Sequence, residues 1–129
     1  MTKRYGINSI ETYVKTKCEY TYIDAIRTWS LHVANKSEKH DINDLYIIEI
    51  AALLLLISKE DIIRILTIIG FDHKFINVIL QTVKNVSLEN NMRVETYKYK
   101  GVINNFPAIR YVQAGLNIWK KMHPNIILV

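Results

Sequence analysis

Thirteen consecutive positions, Leu45 to Ile57, contain one charged residue, Glu49. A helix of that sequence is apolar on nearly every side, so other parts of the chain, or of a partner, have to wrap it. It is too short to cross a bilayer, which takes about 18 to 20 apolar residues, and Lys59, Glu60 and Asp61 interrupt the apolar run. The expected architecture is a mostly α single domain over residues 1–129. In it, a compact bundle of about five helices surrounds a buried central helix at 45–57, and a small β-hairpin at about 92–103 precedes the last helix.

The neighbouring segments supply the wrapping. Asn8 with Glu11 reads as a capping box, and Ile10, Tyr13, Val14 and Cys18 follow at helical spacing. Tyr22, Ile26, Trp29 and Val33 form the stripe of a second helix over 22–34. Residues 35–44 are polar and aperiodic, an internal linker in which Asn43 or Asp44 can cap the central helix. Ser58 with Asp61 offers another cap. Ile62, Ile63, Ile65, Leu66, Ile68 and Ile69 then leave Glu60, Arg64 and Thr67 as a solvent stripe, with Glu60 and Arg64 at ion-pair spacing. Gly70 is the expected stop and Asp72 the next cap. Over 73–86, Phe75, Ile76, Ile79, Leu80, Val83 and Val86 form the buried side, with Lys74, Asn77, Gln81, Lys84 and Asn85 outward.

Val94, Thr96, Tyr97, Tyr99, Val102 and Ile103 are β-formers around a Lys100-Gly101 bend, which gives the expected hairpin. Pro107 opens the last helix, where Ile109, Val112, Leu116 and Trp119 face inward and Arg110, Gln113, Asn117, Lys120 and Lys121 outward. Gly115 inside that helix costs roughly 1 kcal/mol relative to Ala, a cost that close approach of another element would explain. The apolar tail 125–129 is expected to dock as an edge strand or under a helix.

Charge is distributed unevenly. Residues 1–90 carry eleven Lys/Arg against eleven Asp/Glu, so the net charge of +5 comes from the last 39 positions, where Arg93, Lys98, Lys100, Arg110, Lys120 and Lys121 face Glu95 alone. That end suits nucleic acid or an acidic protein; a solvated basic face is the alternative. Cys18 is the only cysteine, which excludes an internal disulfide and suggests a reducing compartment. Met1 to Gly6 leads into no apolar signal segment, so an intracellular protein is expected.

Catalytic signatures are scarce. His32, His40, His73 and His123 lack metal-ligand spacing, and His40 with Asp41 and Asp44 is the nearest approach to a cluster. Cys18 lies on an apolar stripe, and Gly6, Gly70, Gly101 and Gly115 are too scattered to cradle a phosphate. Glu49 is the acid expected to be buried, where its pKa would rise unless a cation pairs with it. The expectation is a protein without enzyme activity, metal or cofactor.

The order of helices 45–57, 59–69 and 73–86 and hairpin 92–103 resembles the winged helix-turn-helix family. The resemblance makes Lys74, Asn77, Gln81, Lys84 and Asn85 the outer face of a recognition helix and Lys98, Tyr99 and Lys100 the wing. The interleaving of Arg93, Tyr97, Lys98, Tyr99 and Lys100 also suits single-stranded nucleic acid. Ala51 to Leu55 with Asp61, Ile62, Ile65, Leu66, Gly70, Ile76, Leu80 and Val83 resembles the helical dimerisation domain of archaeal and eukaryotic ribosomal stalk proteins. Phe106 to Ile109 with Ala114, Gly115 and Leu116 is similar to small helical subunits of CRISPR effector complexes. Both resemblances imply an assembly component.

The expected function is therefore a non-enzymatic interaction subunit. It would bind itself or another protein through apolar helix faces, with nucleic-acid contacts at Lys74, Asn77, Gln81, Lys84, Arg93, Lys98, Lys100, Arg110, Lys120 and Lys121. The alternative is a winged helix-turn-helix DNA-binding regulator using helix 73–86 and hairpin 92–103.

Overall fold

The computed structural model describes residues 5–37, 42–88 and 107–128. Six helices occupy them: α1 (Ile7–Lys15), α2 (Tyr20–Asn35), α3 (Ile42–Leu53), α4 (Lys59–Ile69), α5 (His73–Lys84) and α6 (Ala108–Met122). The protein is mostly helical, and no strand occurs among the described residues. The hairpin expected at 92–103 lies outside them, as do His40 and Asp41.

The apolar run is wrapped as its composition requires. α1, α2, α5 and α6 all pack against α3, and from Ile48 to Leu54 every residue but Glu49 is completely buried. At roughly 1.5–3 kcal/mol for each fully buried Leu or Ile, this helix anchors the core. It is shorter than expected, however. α3 ends at Leu53, and Leu54 to Leu56 form a turn in which Ile57 N–H donates to Leu54 O at 3.0 Å. The chain reverses there to reach the Ser58 cap, and because the turn leucines stay covered, no polar residue marks it.

The other ends follow short-range chemistry. Asp61 N–H donates to Ser58 Oγ at 3.3 Å and Phe75 N–H to Asp72 Oδ1 at 2.9 Å, so both expected caps form. Gly70 ends α4 with φ of 115°, a conformation that L side chains rarely adopt. α1 starts earlier than the Asn8 capping box implied, with Gly6 as its N-cap. Cys18 lies in the turn after α1, half-buried against the core.

α2 and α6 form the most extensive helix pair, and the small residues between them set its geometry. A Cβ on Gly115 would lie 2.6 Å from Ser30 N and 2.8 Å from Ser30 Cα. This is the close approach that the mid-helix glycine called for. It also turns α2 away from the expected stripe: Ile23, Ile26, Ser30 and Ala34 are deepest, while Tyr22, Trp29 and Val33 are only half-buried. On α6, Ile109, Val112, Leu116 and Trp119 face inward as expected. Gln113 does not face outward. It is fully buried, accepting from Ser87 N–H at 2.8 Å and donating to Ser87 O at 3.1 Å.

α4 departs most from its sequence pattern, because it packs mainly on α5. Only Ile62 and Leu66 are buried, and Ile68 is 70% exposed. Arg64 pairs with Asp61 at 3.0 Å in place of the expected Glu60, and its guanidinium lies over the Tyr13 ring. In the tail, Ile126 and Leu128 pack on the core and Ile127 is exposed, with no strand formed.

Candidate functional site

Ser58, Gly70 and Asp72 together fold residues 58–84 into a helical hairpin, which puts the start of α4 beside the end of α5. At that open end lies a groove of about 490 Å³ lined by Ile57, Lys59, Ile62, Asn77, Leu80, Gln81, Val83 and Lys84. Its composition follows from the helical repeat. Leu80 and Val83 are the half-buried edge of the α5 apolar face, and Ile57 and Ile62 come from the turn before α4 and from its first turns. Asn77, Gln81 and Lys84, one turn apart on α5, and Lys59 from α4 supply the polar groups. Among the described residues no acidic side chain lines the groove.

Three of the residues singled out from the sequence, Asn77, Gln81 and Lys84, therefore meet at one concavity. Lys74 is exposed on the same helix, outside that lining. Arg110 and Lys121 are exposed on α6, whereas Lys120 is half-buried and donates to Leu88 O. Arg93, Lys98 and Lys100 lie outside the described residues. Lys59 and the apolar lining were not foreseen as site residues. The signal for Lys59 was its place at the first position after a capping serine, opposite the last turn of a hairpin partner.

A second depression, about 560 Å³, lies at the closed end of the hairpin, lined by Tyr5, Tyr46, Ile47, Gly70, Phe71, Asp72 and Phe75. Its rings pack on one another: Phe71 stacks on Phe75 at 4.5 Å and meets Tyr5 edge-on at 5.6 Å. The Asp72 carboxylate caps α5, and Tyr5 OH donates to Ile69 O at 2.6 Å. These groups hold the 70–72 turn against the start of the chain.

Glu49 is 8% exposed, and Arg27 Nη1 lies 3.4 Å from its Oε2 and 2.9 Å from Glu11 Oε2. Arg27 Nη2 also pairs with Asp24 and donates to Tyr20 OH at 3.3 Å. One guanidinium thus ties α1, α2 and α3 together. Burial works against its charge, but the bonds to Asp24 and Glu11 outweigh that effect and hold its pKa above the ordinary value. Burial, and donation to Glu11 at 2.6 Å, push the Tyr20 hydroxyl up to about 12. Burial likewise raises the Cys18 thiol, which disfavours the reactive thiolate.

Among the described residues no three His, Cys, Asp or Glu side chains are grouped so as to hold a metal ion. No described helix is long and apolar enough to cross a membrane. The chain matches no protein-family model, no curated protein and no solved structure.

Proposed function

We propose that this chain is a non-enzymatic interaction subunit that docks another protein in the groove between α4 and α5, with its basic C-terminal third directed to nucleic acid or an acidic surface. The observation that carries this reading is the apolar strip Ile57, Ile62, Leu80 and Val83. It lines an open concavity on a chain whose central helix is buried from Ile48 to Leu53, with Glu49 alone slightly exposed. An apolar floor with a polar rim is the usual anatomy of a protein–protein interface.

The test uses the tagged chain and its Leu80→Asp variant, matched for helix content and melting temperature, in affinity purification from the native source. The reading requires a protein that co-purifies with the wild type and is lost from the variant. Identical sets of co-purifying proteins would refute it.

The second reading, a DNA-binding regulator with α5 as recognition helix, draws on the hairpin order of α4 and α5 and on the exposure of Lys74, Asn77 and Lys84. It requires binding to duplex DNA that weakens steeply with salt, with a shallower slope in Lys74→Ala and Lys84→Ala.

A further inference from the structure

The groove has a floor of one chemistry and a rim of another. Ile57, Ile62, Leu80 and Val83 are aliphatic, and the polar residues beside them are two lysines and two amides. A phosphodiester backbone would satisfy the lysines but leave its charge against the aliphatic floor, which is unfavourable for both. A second copy of this chain is also a poor occupant. In a two-fold arrangement centred on the groove, Lys59 and Lys84 would face the same cations on a chain of net charge +5. The groove instead complements a surface that is aliphatic along one line and negatively charged beside it.

Resting on the reading of the groove as a protein-docking site, we propose that its occupant is an acidic amphipathic helix of another protein. Apolar side chains of that helix would sit on Leu80, Val83, Ile57 and Ile62, and its carboxylates would meet Lys59 and Lys84. The shape of the site favours a helix. The groove lies between two helices, where a third helix packs by setting its ridges between theirs. From Asn77 to Lys84 it runs about 10 Å, or two turns, at roughly 1.5 Å per residue, which matches anchors spaced i, i+4 and i+7 on the incoming helix. No strand edge is present among the described residues to template an extended peptide. Among the described residues the nearby acids do not cancel the lysines: Asp61 is turned to Arg64, and Glu60 is outside the lining.

The experiment measures binding of three synthetic helical peptides to the full chain by fluorescence anisotropy. They share one leucine stripe and differ only in carrying Glu, Gln or Lys beside it; a short DNA duplex is the fourth probe. Two partly exposed ion pairs predict that the Glu peptide binds about fivefold more tightly than the Gln peptide, and about 25-fold more tightly than the Lys peptide, at low salt. The double variant Lys59→Glu/Lys84→Glu should invert that order, and Leu80→Asp should abolish binding of all three peptides. Equal affinities for the three, each lost in Leu80→Asp, would overturn the acidic partner while leaving protein docking in the groove intact. Peptide binding untouched by Leu80→Asp, or binding of the duplex alone, would overturn both.

Discussion

Replacing Gly115 by Ala tests whether the α2–α6 contact sets the dimensions of the core. An added Cβ would lie 2.6 Å from Ser30 N and 2.8 Å from Ser30 Cα, and closer still to Ser30 Oγ. A hydroxyl can rotate away, but a backbone nitrogen in mid-helix cannot, so the two helices would have to separate. Ile26, Ile109, Val112 and Leu116, all fully buried, would then lose contact along this seam. Overpacking of this kind costs about 1–3 kcal/mol, and an obstacle made of backbone belongs at the upper end of that range. Alanine's better helix propensity returns roughly 1 kcal/mol. The net expectation is a loss of about 2 kcal/mol by urea denaturation and a fall of roughly 8 °C in melting temperature. The same substitution in a Ser30→Ala background should cost nearly as much, because the obstructing nitrogen remains. If Gly115→Ala were as stable as the wild type, or if Ser30→Ala removed the penalty completely, the close approach would not be the reason for glycine.

The Arg27 network predicts asymmetric substitutions. Arg27→Met, which leaves Glu11, Asp24 and Glu49 without the guanidinium they share, should cost about 3 kcal/mol in denaturant titration, and Glu49→Gln less than half of that. Tyr20 gives a dependence on pH. Its folded pKa of about 12 lies above the ordinary 10, so the folded state retains the proton longer than the unfolded state does. Its contribution is complete below pH 10 and is lost as pH rises from 10 to about 12. Denaturation midpoints over that range should fall less steeply in Tyr20→Phe. Gln113→Leu, which removes both partners of the Ser87 backbone groups, should destabilise by about 2–3 kcal/mol in the same assay, and Gln113→Glu should restore only the bond accepted from Ser87 N–H.

Most helix ends were legible because their signals are local. Ser58, Gly70 and Asp72 act on backbone groups within a few residues, and the structure uses each as its chemistry dictates. The α6 stripe was legible because Ile109, Val112, Leu116 and Trp119 recur at helical spacing and are all buried. The α2 stripe was right at Ile26 and wrong at Tyr22, Trp29 and Val33, because large residues mark a core face only where the partner stands at ordinary distance. At Gly115 the partner stands closer, and the small residues Ser30 and Ala34 are buried as deeply as Ile23 and Ile26. Gln113 was misread for a similar reason: a long amide reads as polar surface until two backbone groups from a distant segment require it. At the groove, Asn77, Gln81 and Lys84 could be placed on one helical face from spacing alone. The approach of Lys59 and Ile57 depended on how tightly the hairpin folds, and an apolar run such as Leu53 to Ile57 gives no indication of where it turns.

The loose attachment of α4 bears on the timescale at which the protein opens. This helix packs mainly on α5, buries only Ile62 and Leu66, and is tied to the rest of the chain by Arg64 on Tyr13 and by Tyr5 on Ile69 O. Lifting it exposes far less apolar surface than separating α2 from α6, so it should detach in a sub-global fluctuation well below the threshold of complete unfolding. Amide protons of α4 should then exchange with deuterium before those of α2, α3 and α6. Each such excursion would remove one wall of the groove, so a segment docking there as proposed would be able to enter from the side before the helix settles back.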